Sequence, residues 1–504
     1  MDSVTSILRL MCEKGVTLWV HGGQLCYRAP QQALTSVDIK TLRDRKTEII
    51  ESLQKCQSSA YELPILARLK SDTVPLTFQQ QWLLGLLQNA NVSNLPCGFA
   101  LRLIGAVDID SMRVSIEELI RRHESLRTRI ATIDGVPRQH VIDPGPYELE
   151  LVRLDSNSEE NRENNAYHLA GKFVHQPLDL TVDPLFEIRL LRLSEKTYVL
   201  VVSFDHMISD GASREILLRD LLSLYSCAAH GRPPPEEARI QYADYAVWQH
   251  ETNDSWMHAH GTYWHARLDG AKPIRFPVDR DIVAAAPSEE AVLPIRFGEA
   301  LSVALRKSAQ CERTTLTLLV LAVLIALMSR WCNENDLVIA FNTNGRHRHE
   351  LANSIGYFPH LLHLRLELYA NDTFRDLLSR VMQEYCTVYE HQDFARIVTR
   401  SPEFSLASFQ WDPAPFVYVP AAGEFKDNLT IKPFPIRRAV TDLKFSTQIS
   451  VNLSDSTQGV AGVCGYRADL FRSDTIARFI RNLRSFSARF IENPHARVTA
   501  VPYE

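Results

Sequence analysis

Among the nine cysteines of this 504-residue chain there is no C-x-x-C pair. Their scatter fits reduced thiols in a cytoplasmic protein, and no metal site is expected. Long apolar runs are missing as well. The longest, Leu318–Met328, is too short to cross a bilayer and reads as a buried helix. The opening MDSVTSILRLMCEKG has acids where a secretory signal needs bases, and it has no long apolar centre. No membrane partner is expected. The net charge is −5, and no basic stripe with interleaved aromatics occurs, which excludes a dedicated nucleic-acid binder. Biased tracts and short tandem repeats are absent too. What is present is 45% apolar and 23% charged residues, the composition of a globular protein long enough for two or three domains.

Residues 1–55 read as a small unit of their own. Ser3–Glu13 has the pattern of an amphipathic helix. Val16–Val20 and Gln24–Arg28 read as strands around a His21-Gly22-Gly23 turn. Ser36 then caps a helix over Val37–Gln54, which carries Lys40, Arg43, Arg45 and Lys46. A hairpin edge beside a basic helix suits an extended acidic peptide bound by strand addition. Trp19 and Tyr27 would be its apolar contacts, with Lys40, Arg43 and Lys46 supplying charge. A mere decoration packed on the main body is an equal alternative on spacing alone. Residues 56–73 lack periodicity and read as a linker. The body beyond them divides near Gly231–Pro235 and a polar stretch around Asn253–Glu290, giving parts 74–250 and 251–504. Alternating helices and strands in two similar parts predict α/β lobes facing each other across a cleft.

The segment Ser203–Ser213, SFDHMISDGAS, carries the most chemistry. Tyr198–Val202 brings the chain in as a strand, and Arg214–Tyr225 takes it out as a helix. At the junction stand His206, Asp210 and Gly211. A histidine on a tight turn, with helix N–H groups just beyond, is placed for proton transfer next to a developing negative charge. Taken alone, Asp210 reads equally well as an N-cap and His206 as a structural residue.

Several separated segments point the same way. They are Leu76-Thr-Phe-Gln-Gln-Gln-Trp-Leu83, Arg122-His-Glu-Ser-Leu-Arg-Thr128, Gln176–Leu180 with Asp183–Phe186, Asp205–Gly211, Tyr242–Gln249 and Ile355–Phe358. In sequence and order they resemble the motifs of nonribosomal peptide synthetase condensation domains, over residues 74–504. Residues 1–55 are similar to TubC-type β-hairpin docking domains. The resemblance implies an α/β fold with two chloramphenicol-acetyltransferase-like lobes in a V-shaped pseudo-dimer, preceded by a small α-β-β-α docking domain.

The same resemblance implies an acyltransferase that forms an amide or ester. Its acyl donor would ride on the phosphopantetheine of an upstream acyl or peptidyl carrier protein, so no cofactor of its own is implied. That carrier would be held through the docking domain by an acidic C-terminal peptide, and a small-molecule acceptor would enter the cleft from the opposite face. His206 would relay the proton. Gly211 would let backbone approach the reacting carbonyl and donate its N–H to the oxyanion. Asp210 would belong to a structural ion pair with Arg127 or Arg346. Tyr357, Pro359 and His360 would lie near the substrate tunnel.

The sequence departs from the family pattern in two places. Asp205 stands where the motif begins with histidine, and with Asp210 and Ser213 it spells the D-x-x-x-x-D-x-x-S of heterocyclization domains. A carboxylate there would orient the His206 ring, raise its basicity, or serve as a structural acceptor. The family's G-x-F-V-N-T continues as Gly356-Tyr-Phe-Pro-His-Leu361, which implies an unusual substrate or neutral drift. The sequence stops at Val501-Pro-Tyr-Glu504 with no adenylation or carrier region following. If that terminus is natural, the layout is similar to stand-alone enzymes that release a chain onto a free acceptor, as in the enacyloxin pathway. A recruiting domain without catalysis and a simple coenzyme A acetyltransferase are the rival readings.

Overall fold

The computed structural model describes residues 7, 11, 16–21, 24–28, 34–50, 64–69, 71–90, 92–154, 158–280, 290–392, 406–412, 429–436, 447–456 and 459–503. Near the N-terminus, β1 (Thr17–His21) pairs antiparallel with β2 (Gln24–Arg28), placing Trp19 opposite Cys26 and Leu18 opposite Tyr27. Helix α1 (Ser36–Asp44) follows. Its cap is Thr35 rather than Ser36. The Thr35 hydroxyl accepts from the Asp38 amide at 3.2 Å, while the Asp38 carboxylate accepts from the Thr35 amide at 2.7 Å. This reciprocal pair satisfies two of the N–H groups that a helix start leaves unpaired. Ile7, Met11, Val16, Leu42 and Ile49 make the small apolar cluster beneath. The rest of the expected Ser3–Glu13 helix, the glycines of the turn, and the side chains of Trp19 and Tyr27 lie outside the described residues.

The main body opens with β3 (Thr73–Pro75), α2 (Phe78–Ala90), β4 (Pro96–Ile104) and α3 (Ile109–Arg122). It continues with β5 (Thr128–Ile133), β6 (Val136–Val141), β7 (Glu150–Arg153), α4 (Glu159–Val174), β8 (Phe186–Ser194), β9 (Thr197–Asp205) and α5 (Gly211–Ala229). After α6 (Tyr242–Leu268) come β10 (Glu290–Arg296), α7 (Glu299–Cys311), α8 (Leu316–Cys332), β11 (Asp336–Thr343) and β12 (His360–Glu367). The remaining elements are α9 (Phe374–Glu390), β13 (Ala407–Asp412), β14 (Thr430–Phe434), β15 (Ile449–Ser456), β16 (Gly459–Arg467) and α10 (Ser473–Glu492).

One sheet runs in the order β14-β4-β9-β8-β7, and a second in the order β10-β16-β15-β13-β11-β12. Strand β9 reads TYVLVVSFD, apolar almost throughout, because it lies between β4 and β8 with nearly every residue buried. Helix α8 is apolar around its whole circumference and fills the core of the second lobe, as its sequence predicts.

Three features escape a reading by composition. Strand β14 comes late in the chain yet pairs with β4, with Thr430 opposite Ile104 and Phe434 opposite Ala100, so a distant segment completes the first sheet. Its Pro433 is tolerated because β14 lies at the sheet edge. Helix α6 runs unbroken through position 250, where composition places a division. Before β3 the described part of the linker has no regular structure but is tied down. Ile65 is buried with Tyr242, Tyr245, Trp248 and Phe358, and Arg68 lies 2.8 Å from both Glu124 and Asp244.

Two glycines permit close approaches between elements. Gly345 has φ +63°, and a Cβ there would fall 1.9 Å from the Phe358 carbonyl oxygen. At Gly356 a Cβ would fall 2.2 Å from the Tyr242 ring. Replacing Gly345 with alanine therefore adds both left-handed strain and a backbone collision. A loss of at least about 2 kcal/mol in urea unfolding is expected, against a near-neutral Gly145→Ala, where a Cβ meets nothing within 4 Å.

Candidate active site

The chemistry-bearing loop joins the end of β9 to the start of α5. Asp205 closes the strand with no exposed surface, and its two carboxylate oxygens accept separately from the Leu95 and Met207 amides, both at 2.8 Å. The His206 amide donates to the Leu95 carbonyl at 3.0 Å, and the Ser209 hydroxyl donates to the Asp205 carbonyl at 3.0 Å. Met207 is fixed from the other side, where Gln80 Nε2 donates to its carbonyl at 2.7 Å. Of the roles open to Asp205, the geometry selects the structural acceptor, because both oxygens are spent on backbone rather than on the histidine ring. Burial pushes its carboxyl up to about 6, against the pull of the Met207 and Leu95 amides and of the Asn94 side chain.

His206 is half-buried, and its Nδ1 lies 3.1 Å from the Ser209 carbonyl. A carbonyl only accepts, so Nδ1 carries the proton in this bond and the neutral ring presents its lone pair at Nε2. Burial lowers the His206 pKa below the usual histidine value, opposed by the Ser209 carbonyl and the charge on Asp210. The ring is therefore neutral at pH 7 and able to take a proton. Tyr357 stands edge-on to it, with ring centroids 6.0 Å apart.

Asp210 is both the N-cap of α5 and half of an ion pair. Its Oδ1 accepts from the Ser213 amide and hydroxyl, each at 2.8 Å. Its Oδ2 accepts from Arg346 Nη1 at 2.6 Å and from the Phe358 amide at 3.2 Å. Arg346 also donates to the Ser213 hydroxyl at 3.0 Å and lies 4.2 Å over the Phe358 ring. The partner of Asp210 is thus Arg346 and not Arg127. Arg127 donates to the Ile142 carbonyl and sits 3.8 Å from Glu124.

Gly211 is the first residue of α5, so the helix supplies no carbonyl for its amide. It is exposed, and a Cβ there would meet nothing within 4 Å. A close contact within the chain is thus not what calls for glycine here. The space next to it is open. Tyr357 and Pro359 are half-buried, whereas His360 has no exposed surface and hydrogen-bonds Gln79 Nε2 at 3.0 Å. His360 belongs to a buried polar network rather than a tunnel wall. Pro359 immediately precedes β12.

The separate sequence motifs meet in this network. Thr77 donates to the Tyr242 hydroxyl at 2.7 Å, and that hydroxyl donates to the Tyr357 carbonyl at 2.5 Å. Ser125 donates to the Ile355 carbonyl at 2.6 Å. Gln79, Gln80, Ser125 and Tyr242 all lie in motifs legible in the sequence, but their partners do not follow from it. Leu95, which holds the loop with its backbone alone, carries no signal in its side chain.

The fold and this site define a class. The condensation domain family matches residues 70–503, and the TubC N-terminal docking domain family matches residues 4–55. The chain belongs to the condensation domain family of nonribosomal peptide synthetases, which are acyltransferase-type enzymes, and its two-lobed α/β fold is the one the resemblance implied.

A linear gramicidin synthase of Brevibacillus parabrevis is 29% identical over 471 residues, covering 91% of this chain and 9% of that protein. Chondramide synthase cmdD of Chondromyces crocatus is 32% identical over 438 residues, covering 85% of this chain and 11% of that protein. The chain thus spans about a tenth of the length of these relatives.

Two solved structures share the fold. The X-domain in complex with OxyB from teicoplanin biosynthesis has a TM-score of 0.72 at 24% identity, over 88% of this chain and 98% of that one. The structure for condensation domain-mediated chain release from the enacyloxin polyketide synthase has a TM-score of 0.67 at 20% identity, over 98% of this chain and 97% of that one. Among the described residues no single helix is long and apolar enough to cross a membrane.

The Asp210–Arg346 pair is nearly free of water, with side chains 3% and 6% exposed. Arg346→Met leaves the carboxylate buried without its cation, so a loss of about 3–5 kcal/mol in urea unfolding is expected. Arg127→Met, which removes a weaker, partly exposed pair and one hydrogen bond to the Ile142 carbonyl, should cost less than half as much.

Proposed function

We propose that this chain transfers an acyl group from the phosphopantetheine thioester of a carrier protein to an amine or hydroxyl acceptor, forming an amide or ester. The observation that carries the reading is the commitment of His206 Nδ1–H to the Ser209 carbonyl, which leaves Nε2 as the proton acceptor. The acceptor's N–H or O–H gives its proton to Nε2 as its lone pair attacks the thioester carbon. The resulting oxyanion is stabilised by the Gly211 amide at the α5 N-terminus. Collapse of the intermediate breaks the C–S bond, and the thiolate takes the proton back from Nε2. Asp210 and Arg346 hold the loop without touching substrate.

Release onto a free small-molecule acceptor is the favoured variant. This variant draws on the fold likeness to the enacyloxin polyketide synthase structure, a case of condensation domain-mediated chain release. Heterocyclization is disfavoured because Asp205 is closed off by backbone amides. A second reading, recruitment without turnover, draws on the fold likeness to an X-domain solved in complex with OxyB. The protein is assigned to the cytoplasm, with residues 1–55 as the docking domain, 74–250 as the first lobe, its sheet completed by β14, and 251–504 as the second.

Residues 1–55 would receive an acidic C-terminal peptide of the upstream carrier along the β1–β2 hairpin, near Trp19 and Tyr27. Lys40 and Arg43 are exposed on α1, and Lys46 is half-buried just beyond it. Surface charges of this kind steer encounter and weaken with salt.

His206→Ala should reduce transfer by roughly 10²–10⁴-fold with an unchanged fold, read by intact-protein mass spectrometry of an acyl-loaded carrier mixed with candidate acceptors. Near-wild-type turnover in that variant would sink the reading, and wild-type protein inert with every donor and acceptor would favour recruitment. The base must be neutral, so activity is full above the His206 pKa and falls as pH drops through it. The acid limb of kcat/KM should therefore have its midpoint below about 6.5.

Deleting residues 1–55 should slow transfer from the cognate carrier and spare a small thioester mimic. Equal losses with both donors would place the segment in the catalytic core.

A further inference from the structure

We propose that Asp205 is a positioning residue for His206: its carboxylate grips the backbone on both sides of the histidine and so keeps Nδ1 on the Ser209 carbonyl. This rests on the reading of His206 as the proton acceptor. The residue occupies the place where the related motif begins with histidine, so the device belongs to this chain's departure from the pattern.

Four hydrogen bonds make the clamp. Leu95 N–H donates to Asp205 Oδ2 and Met207 N–H to Oδ1, each at 2.8 Å. His206 N–H donates to the Leu95 carbonyl at 3.0 Å, and Ser209 Oγ donates to the Asp205 carbonyl at 3.0 Å. The carboxylate therefore ties the residue just before β4 to the residue just after His206. Ser209, whose carbonyl holds the imidazole, is tied back to Asp205 itself.

The choice of a carboxylate follows from the donor count. Two amides arrive at two different oxygens in a place without solvent, and each must be matched. A neutral imidazole offers one acceptor nitrogen, and an asparagine offers one oxygen and turns an NH2 toward the other amide. Either leaves a buried N–H unpaired next to His206. Asp205 does not act on the ring directly, since the bond to the ring comes from Ser209.

The test uses the full chain carrying Asp205→Asn. In 15N-histidine-labelled protein, with His206→Ala identifying the resonance, wild type should show His206 as the Nδ1–H tautomer, and Asp205→Asn should show a mixture. Transfer should lose about 10- to 100-fold in kcat with the KM for the acyl-loaded carrier unchanged, the effect of a base displaced by a fraction of an ångström to an ångström. In a His206→Ala background Asp205→Asn should cause no further loss.

A wild-type tautomer with a wild-type kcat would overturn the proposal, as would an equal loss in the His206→Ala background. Should Asp205→Asn fail to fold, Asp205→Ser, whose single oxygen cannot reach both amides, serves in its place. A mixed tautomer there supports the clamp, and an unchanged one overturns it. The tautomer is read without any turnover, so failure of the clamp is distinguishable from failure of the acyl-transfer reading.

Discussion

The rest of the structure depends on the buried contact between Asp210 and Arg346. The two residues are 136 positions apart and come from the two halves of the main body, yet their charged groups meet at 2.6 Å with almost no access to water. Neither charge is tolerable there alone, because desolvation of an isolated ion costs several kcal/mol. The pair is therefore a demand for one arrangement of the halves more than a source of stability. Asp210 also caps α5, so a single carboxylate fixes where the helix starts and where the loop from Asn344 to Phe358 must lie. The two competing readings of Asp210, cap and ion-pair member, are both true, and each oxygen serves one of them.

Around this pair the contact between the halves combines the apolar cluster of Tyr242, Tyr245, Trp248, Leu351 and Phe358 with a polar network, which explains the composition of the motifs. Thr77, Gln79, Gln80, Ser125, Tyr242 and Ser213 are buried and hydrogen-bonded, mostly to backbone carbonyls or to one another. An apolar interface of equal size would hold the halves together while leaving their register loose. Directional bonds to specific carbonyls set the register, and a lost partner leaves a buried group unsatisfied. The network passes from Gln80 through Met207 to the loop of His206, so the relative placement of the halves and the pose of the histidine are mechanically one thing.

Burial acts on both titratable residues at the β9 end, with opposite consequences for charge. It favours the neutral form of His206, as the proposed proton-accepting role requires, and it resists the ionisation of Asp205. Two amides and the Asn94 side chain partly offset that resistance at Asp205, and the Ser209 carbonyl with the Asp210 charge partly offsets the effect at His206. The site is thus built from backbone groups as much as from side chains. Leu95 matters through its N–H and C=O, which no side-chain motif reports.

Local features were decided by the sequence alone. The apolar run of β9, the loop after it, the amphipathic α5 and the uniformly apolar α8 follow from periodicity and capping, which act over a few residues. The six ordered motifs also sufficed to place the chain in its family and to single out His206, Asp210 and Gly211. Pairings across the chain were decided only by the tertiary structure. Nothing local in Thr430–Phe434 says that it will complete a sheet begun at Pro96, and nothing in Arg127 or Arg346 says which will meet Asp210. The same holds for His360, which reads as a tunnel residue by position and is buried against Gln79. Composition divided the body at 250, but α6 runs through that point, with Tyr242, Tyr245 and Trp248 buried in one cluster before it and Trp264 buried in the second lobe's core after it. Periods and caps are properties of neighbouring residues, whereas the partner of a buried charge, a sheet edge or a lone amide is chosen by whichever distant group the whole fold brings within 3 Å.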